Sequence, residues 1–303
     1  MGLGALLTDT GKLSLGKLQG LYDQHRFLDA WKASAEIWTP STDVDQLSID
    51  DLIFAARLAV RLGGLRLSRS LFRKAKKREP ANPLVRYFTN HLEEPRKLLL
   101  DELVAFESNP RLCDNDDELQ ANWLGSHAFT WASLRNRARA KELLQQAHAL
   151  SPNSSWLHAL EANTHGFADD WKSSLLSAER AWELDPRSSW AGTSMATALL
   201  NLGRIQESVR YLTLATENTQ SIQLVQSACW HQCAIAEVLE GDDRAEAVAK
   251  ARALALQLEP LAPLADKEFK AALARTWLDI AQLSNDRTEM ERWATEARSP
   301  FHR

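Results

Sequence analysis

Three sets of residues in this 303-residue chain have types and spacings that could do chemistry. The first is CWHQC, which puts Cys229 and Cys233 at i and i+4 of one helix with His231 between them. Both thiols can share a face, but the imidazole points elsewhere. Zinc wants four ligands from converging elements, and no second cluster of this kind stands in the sequence. No metal and no cofactor is therefore expected, and Cys here reads as a small core residue. A catalytic Cys–His pair would have to be assembled by the fold. The chain has no Gly-rich phosphate loop, no HExxH and no GxSxG. The pair Asp169-Asp170 falls in a turn, where Asp is common anyway. The eight His show no ligand pattern, and the chain is read as a non-enzyme.

The second set is aromatic. Of 11 Trp, Trp156, Trp190 and Trp230 each stand six residues before a recurring alanine, Ala162, Ala196 and Ala236. Asn163 and Thr197 lie seven residues after the first two, which is two helical turns along the same face, and Asn201 lies one turn further. Indoles beside hydrogen-bonding groups suit binding of an extended peptide. The competing reading is that each indole packs against the preceding hairpin. The third set is basic. RLSRSLFRKAKKRE carries Arg66, Arg69, Arg73, Lys74 and Lys77, with Leu65, Ser68, Phe72 and Ala75 as its inward stripe. The outer charge is either a solvated face answered by the acidic residues at 43–51 and 114–118 or a site for an anionic partner.

Composition narrows the class. A charged fraction of 25% and a hydrophobic fraction of 45% are ordinary for a soluble protein, and a formal net charge of −4 gives no general pull toward nucleic acid. Three cysteines imply no disulfide framework. The start, MGLGALLTDTGK, lacks a basic n-region and a sustained apolar stretch, and no window approaches the roughly 20 apolar residues of a membrane span. A cytoplasmic location without membrane span is expected.

The elements that must position these residues are written as a repeat. Ala128, Ala147 and Pro152 are separated by 19 and then 5 residues, and so are Ala162, Ala181 and Pro186, Ala56, Ala75 and Pro80, and Ala236, Ala255 and Pro260. Ala196 and Ala215 keep the first interval with Gln220 where proline is due, and Gly16, Ala35 and Pro40 keep both. Within one period, apolar residues recur at helical spacing from Ser154 to Gly166, with Asn153 and Ser154 as candidate N-caps. A second helix covers about 171–184 and stops before Asp185-Pro186, because proline lacks an N–H and disfavours helix before it. A lone helical pair cannot bury its apolar face, so neighbouring pairs must stack.

This pattern resembles the tetratricopeptide repeat family. Ala128, Ala140, Ala147 and Pro152 fill the family's small, Ala/Ser, Ala and Pro positions, as do Ala162, Ser174, Ala181 and Pro186, then Ala196, Ser208 and Ala215. Gly63 and Gly203 match its frequent turn glycine. The match is densest over 120–220, good over 49–80, and sparse over 9–40, 81–110 and 264–300. The resemblance implies an all-α, right-handed α-solenoid of about eight stacked hairpins. It also implies that first helices line a concave groove holding Trp156, Trp190 and Trp230, and that the ligand is a protein or peptide. The family's carboxylate-clamping variant is not matched, because Ala159, Thr193 and Cys233 stand where a Lys is expected. Pentatricopeptide repeats, which read RNA, lack the proline punctuation. Residues 49–90 also resemble the helical region attached to bacterial double-glycine-type cysteine peptidases. That suggests, as the alternative function, an accessory module serving such an enzyme in trans; an enzyme with an unrecognised site is the third reading.

The expected organisation is atypical hairpins over 1–112 and a regular array with a C-terminal cap over 118–303. Leu21, Phe27, Ala30 and Ile37 form the first pair's core, and the polar stretch 109–119 is the internal boundary. The unit ending at Pro260 carries about six extra residues after Gln220.

Overall fold

The computed structural model describes residues 15–35, 38, 43–92, 99–217, 220–259 and 266–297. Ile37, Pro40 and Pro260 lie outside them. Among the described residues there is no strand, and the helices pair into eight hairpins. These are α1 (15–23) with α2 (Phe27–Ser34), α3 (Ile49–Arg61) with α4 (Leu65–Arg78), α5 (Pro83–Leu92) with α6 (Leu99–Ser108), and α7 (Asp117–Ser133) with α8 (Arg137–Leu150). Then come α9 (Ser155–Gly166) with α10 (Trp171–Leu184), α11 (Ser189–Asn201) with α12 (Ile205–Glu217), α13 (Ile222–Val238) with α14 (Gly241–Leu258), and α15 (Lys267–Leu283) with α16 (Arg287–Glu296). Successive hairpins stack, each first helix packing on the next, as an α-solenoid requires.

One turn recurs in six hairpins. Its left-handed residues are His25, Gly63, Arg135, Asp169, Gly203 and Asn285. After each, the next N–H reaches back five residues to a carbonyl: Arg26 to Leu21, Gly64 to Ala59, Asn136 to Trp131, Asp170 to His165, Arg204 to Leu199 and Asp286 to Ala281. That is the Schellman closure of a helix on a left-handed residue. Glycine accepts this conformation freely at 63 and 203; the other four turns hold side chains there, so the stacked hairpins enforce the turn as well as the local sequence.

The proline turns are equally regular. The backbone N–H groups of Glu79, Ser151 and Asp185 bond to the carbonyls of Ala75, Ala147 and Ala181, and a proline follows each of these three donors. Those alanines are fully buried. Ser154, Ser188 and Ser221 cap α9, α11 and α13 through their side chains, so Ser154 rather than Asn153 is the cap. Small residues set the close approach of paired helices. A Cβ added at Gly192 would stand 2.3 Å from Ala215 Cβ and 3.2 Å from Trp182 Cζ3. Gly192→Ala is therefore expected to cost about 1–3 kcal/mol by overpacking α11 against α12. Denaturant unfolding checks this; an unchanged midpoint would mean the helices can slide apart freely.

The first hairpins also pack far along the chain. One core joins Leu18, Phe27 and Ala30 to Phe54 and Leu58 of α3 and to Ile222, Val225 and Cys229 of α13. It continues through Ala251, Ala255 and Leu258 of α14 to Phe269, Leu273 and Trp277 of α15. Polar clasps fasten the same junction. Gln220 Oε1 accepts the backbone N–H groups of Leu28 and Asp29 at 3.1 and 3.2 Å, capping α2, while its own backbone N–H donates to His25 O at 3.0 Å. Asp266 Oδ2 accepts the N–H of Arg66 at 3.0 Å, at the start of α4. His25 Nε2 stands 3.4 Å from Asp185 Oδ2. Gln220, which replaces the turn proline, thus has a use proline could not serve. The stretch 109–119 is spanned by a core of Tyr87, Phe106, Leu112, Leu119 and Trp123, and Trp123 Nε1 donates to Asn109 O at 2.8 Å.

Candidate functional site

The three tryptophans do not share one environment. Trp156 and Trp190 are the second residues of α9 and α11, whereas Trp230 is the ninth of α13. The extra residues after Gln220 lengthen α13 by about two turns at its start, and those turns pack on α1–α3. Trp156 is half-buried against the α7–α8 core and would lie 3.1 Å from a Cβ added at Gly125. Trp190 is half-buried beside Ala159, Ala181 and Ala191. Trp230 is 68% exposed.

Trp230 stands at the edge of a cleft of about 850 Å³ between α13 and α15, lined also by Gln226, Ser227, Arg275, Thr276 and Asp279. A second cavity of about 210 Å³ is lined by Arg61, Trp190, Thr193, Leu224 and Ser227. The two meet at Ser227, so Trp190 and Trp230 face adjoining hollows along three first helices. In the larger cleft, burial and the nearby Glu237 push the Asp279 carboxyl above its ordinary value, partly offset by Arg275. The cleft thus sets an indole beside a cation, a carboxyl, an amide and hydroxyls.

The polar residues of the same face tie neighbouring helices together. Asn163 Nδ2 donates to Ser194 Oγ at 3.1 Å, linking α9 to α11, and to Ala159 O at 2.9 Å. Thr197 Oγ1 and His231 Nε2 are 2.9 Å apart, linking α11 to α13. Asn201 Nδ2 donates to Thr197 O at 2.9 Å on an exposed edge. Burial of His231 lowers its pKa despite the hydrogen bond to Ser227 O. Its neutral form is thus favoured in the fold. The stability it contributes is present above the unfolded value of 6.5 and is lost as pH falls through the folded value. Between pH 7.5 and 5.5 the protein should lose more stability than its His231→Gln variant, measured by denaturant unfolding; parallel losses would assign the acid sensitivity elsewhere.

Cys229 and Cys233 are buried, and desolvation pushes both thiols up to about 12, so neither is a thiolate near neutral pH. On α4, Ser68, Leu71, Phe72 and Ala75 face inward, with Leu65 half-buried. Arg66, Arg73 and Lys77 are exposed, and Arg69 and Lys74 are half-buried. Lys74 pairs with Asp45 at 2.5 Å and Arg78 bonds Leu47 O, so the acidic segment 43–51 answers part of this charge.

Sequence reasoning missed one cluster. His148, near the end of α8, meets His158 and Glu161 of α9, their donor atoms all within 4.8 Å of one another. The i, i+3 pair His158/Glu161 and a His ten residues earlier across the Pro152 turn were the available signal.

No protein-family model matches the chain, and no curated protein matches it. Solved structures do. The Cut9 and Hcn1 hetero-tetramer of the APC/C matches over 97% of this chain and 57% of that one, at 12% identity and a TM-score of 0.60. TTC0263, a thermophilic TPR protein of Thermus thermophilus, matches over 61% of this chain and 98% of that one, at 16% identity and a TM-score of 0.50. The recurrent Schellman turns, the Ala and Pro spacing and these similarities agree, and the chain has the tetratricopeptide-repeat fold.

Proposed function

We propose that the protein is a non-enzymatic scaffold that binds a segment of a partner protein along its first helices, anchored in the cleft between α13 and α15. The observation that carries this is Trp230: a large indole 68% exposed beside a cleft of about 850 Å³ with Arg275, Asp279 and Gln226 within it. Tryptophan is enriched in binding hot spots, and an exposed indole beside charged and polar groups has that composition. Trp190 extends the contact through the adjoining cavity. Asn163 and Thr197 hold the register of the helices beneath it, and Trp156 and Asn201 continue the same face. Among the described residues no helix is long and apolar enough to cross a membrane, and a protein partner fits the fold's usual use as an interaction scaffold.

Affinity capture from the native host, run with the wild-type chain and with Trp230→Ala side by side, tests the reading. A partner retained by the first and lost by the second supports it. A partner held equally by both places the contact elsewhere.

A further inference from the structure

His148, His158 and Glu161 meet where one hairpin hands over to the next, α8 to α9. Their polar atoms are arranged in a way that hydrogen bonding alone does not satisfy. His158 Nε2 lies 3.0 Å from Pro152 O. A carbonyl only accepts, so Nε2 carries the proton and Nδ1 of the neutral ring presents a lone pair. That lone pair faces Glu161 Oε2 at 3.7 Å. His148 Nε2 stands 3.5 Å from the same oxygen. Both ring nitrogens of His148 are closed off from solvent and make no hydrogen bond among the described residues. The two imidazole centroids lie 4.5 Å apart. His158 Nδ1 and the Glu161 carboxylate thus present electron pairs to one another, and His148 adds a third whenever its proton sits on Nδ1.

We propose that His148, His158 and Glu161 form a binding site for a divalent transition metal of the zinc class. Around zinc at about 2.0–2.2 Å from each ligand, tetrahedral ligand atoms sit roughly 3.3–3.5 Å apart. The two separations to Glu161 Oε2, 3.5 and 3.7 Å, are close to that, and all three ligand atoms lie within 4.8 Å of one another. Two neutral imidazoles and one carboxylate select zinc or cobalt over magnesium or calcium, which want oxygen. The outer contacts are those of a metal site. His158 donates its other ring N–H to a backbone carbonyl, and Ser177 Oγ donates to Glu161 Oε2 at 3.2 Å, so ring tautomer and carboxylate are held in place. All three ligands are half-buried. A metal here ties the end of α8 to α9, stapling two hairpins in the middle of the array.

The test is titration of the full-length protein with CoCl2, followed by visible d–d absorption, and displacement by ZnCl2. One equivalent of Co2+ should give the bands of a low-coordinate nitrogen–oxygen site, and zinc should abolish them. His158→Gln and Glu161→Gln should each weaken Co2+ binding by at least about tenfold, since even outer-shell changes cost about 10–100-fold. His165→Gln, at an exposed neighbouring pair, should not. Circular dichroism confirms folding of each variant. If either ligand variant does not fold, zinc-dependent elevation of the wild-type unfolding midpoint, absent in His148→Gln, decides. No stoichiometric Co2+ signal, or affinity unchanged in the ligand variants, overturns the site.

Discussion

Replacing Phe27 with alanine is expected to cost about 3–5 kcal/mol of stability, the range for truncating a buried aromatic. Phe27 is only 2% exposed although it lies in the first hairpins, where a linear array would be weakest. Its ring meets Tyr22 edge-on at 4.9 Å and shares a core with residues of α13, α14 and α15. In an open solenoid, each hairpin is stabilised only by its neighbours, and a terminal lesion frays one end. Here the first hairpins are fastened to distant turns through Gln220 and Asp266, so the same lesion should lower the whole unfolding transition. Denaturant unfolding followed by fluorescence checks it. A loss below about 1 kcal/mol would mean that the α1–α2 hairpin is not seated on α13.

The second large effect separates the tryptophans. Trp230→Ala should leave stability within about 0.5 kcal/mol of the parent, as exposed positions do. It should cost on the order of 1–4 kcal/mol of partner affinity, as hot spots do. Trp156→Ala should behave in the opposite way, lowering the unfolding midpoint, because its indole fills the space above Gly125 and Leu157. Thermal unfolding beside partner binding distinguishes them. Equal destabilisation by both changes would contradict the assignment of Trp230 to the cleft.

The repeat could be read from the chain because its physics is local. The interval from Ala162 to Ala181 to Pro186 records one helix pair and the turn that ends it, and each hairpin repeats that record. The serine caps and turn glycines are local as well. What could not be read is carried by single residues acting over long separations. Gln220 looks like a missing proline, and its use as a cap for α2 across 192 residues leaves no periodic trace. Trp230 matches Trp156 and Trp190 when counted back from the next alanine, but counting from the start of its helix places it two turns deeper. The inserted residues moved the start of α13, and only the packing partner of those turns reveals the cleft. His148 and His158 sit on different helices of different hairpins, so their convergence follows from stacking and not from a motif.

Hydrogen–deuterium exchange of the captured complex measures the central claim most directly, since it reports where on the chain a partner sits. The account predicts new protection over 226–230 and 272–279, the two walls of the Trp230 cleft, with weaker protection at 189–193. Protection confined to the outer face of α4, or absent from α13 and α15 while the partner remains bound, would contradict it.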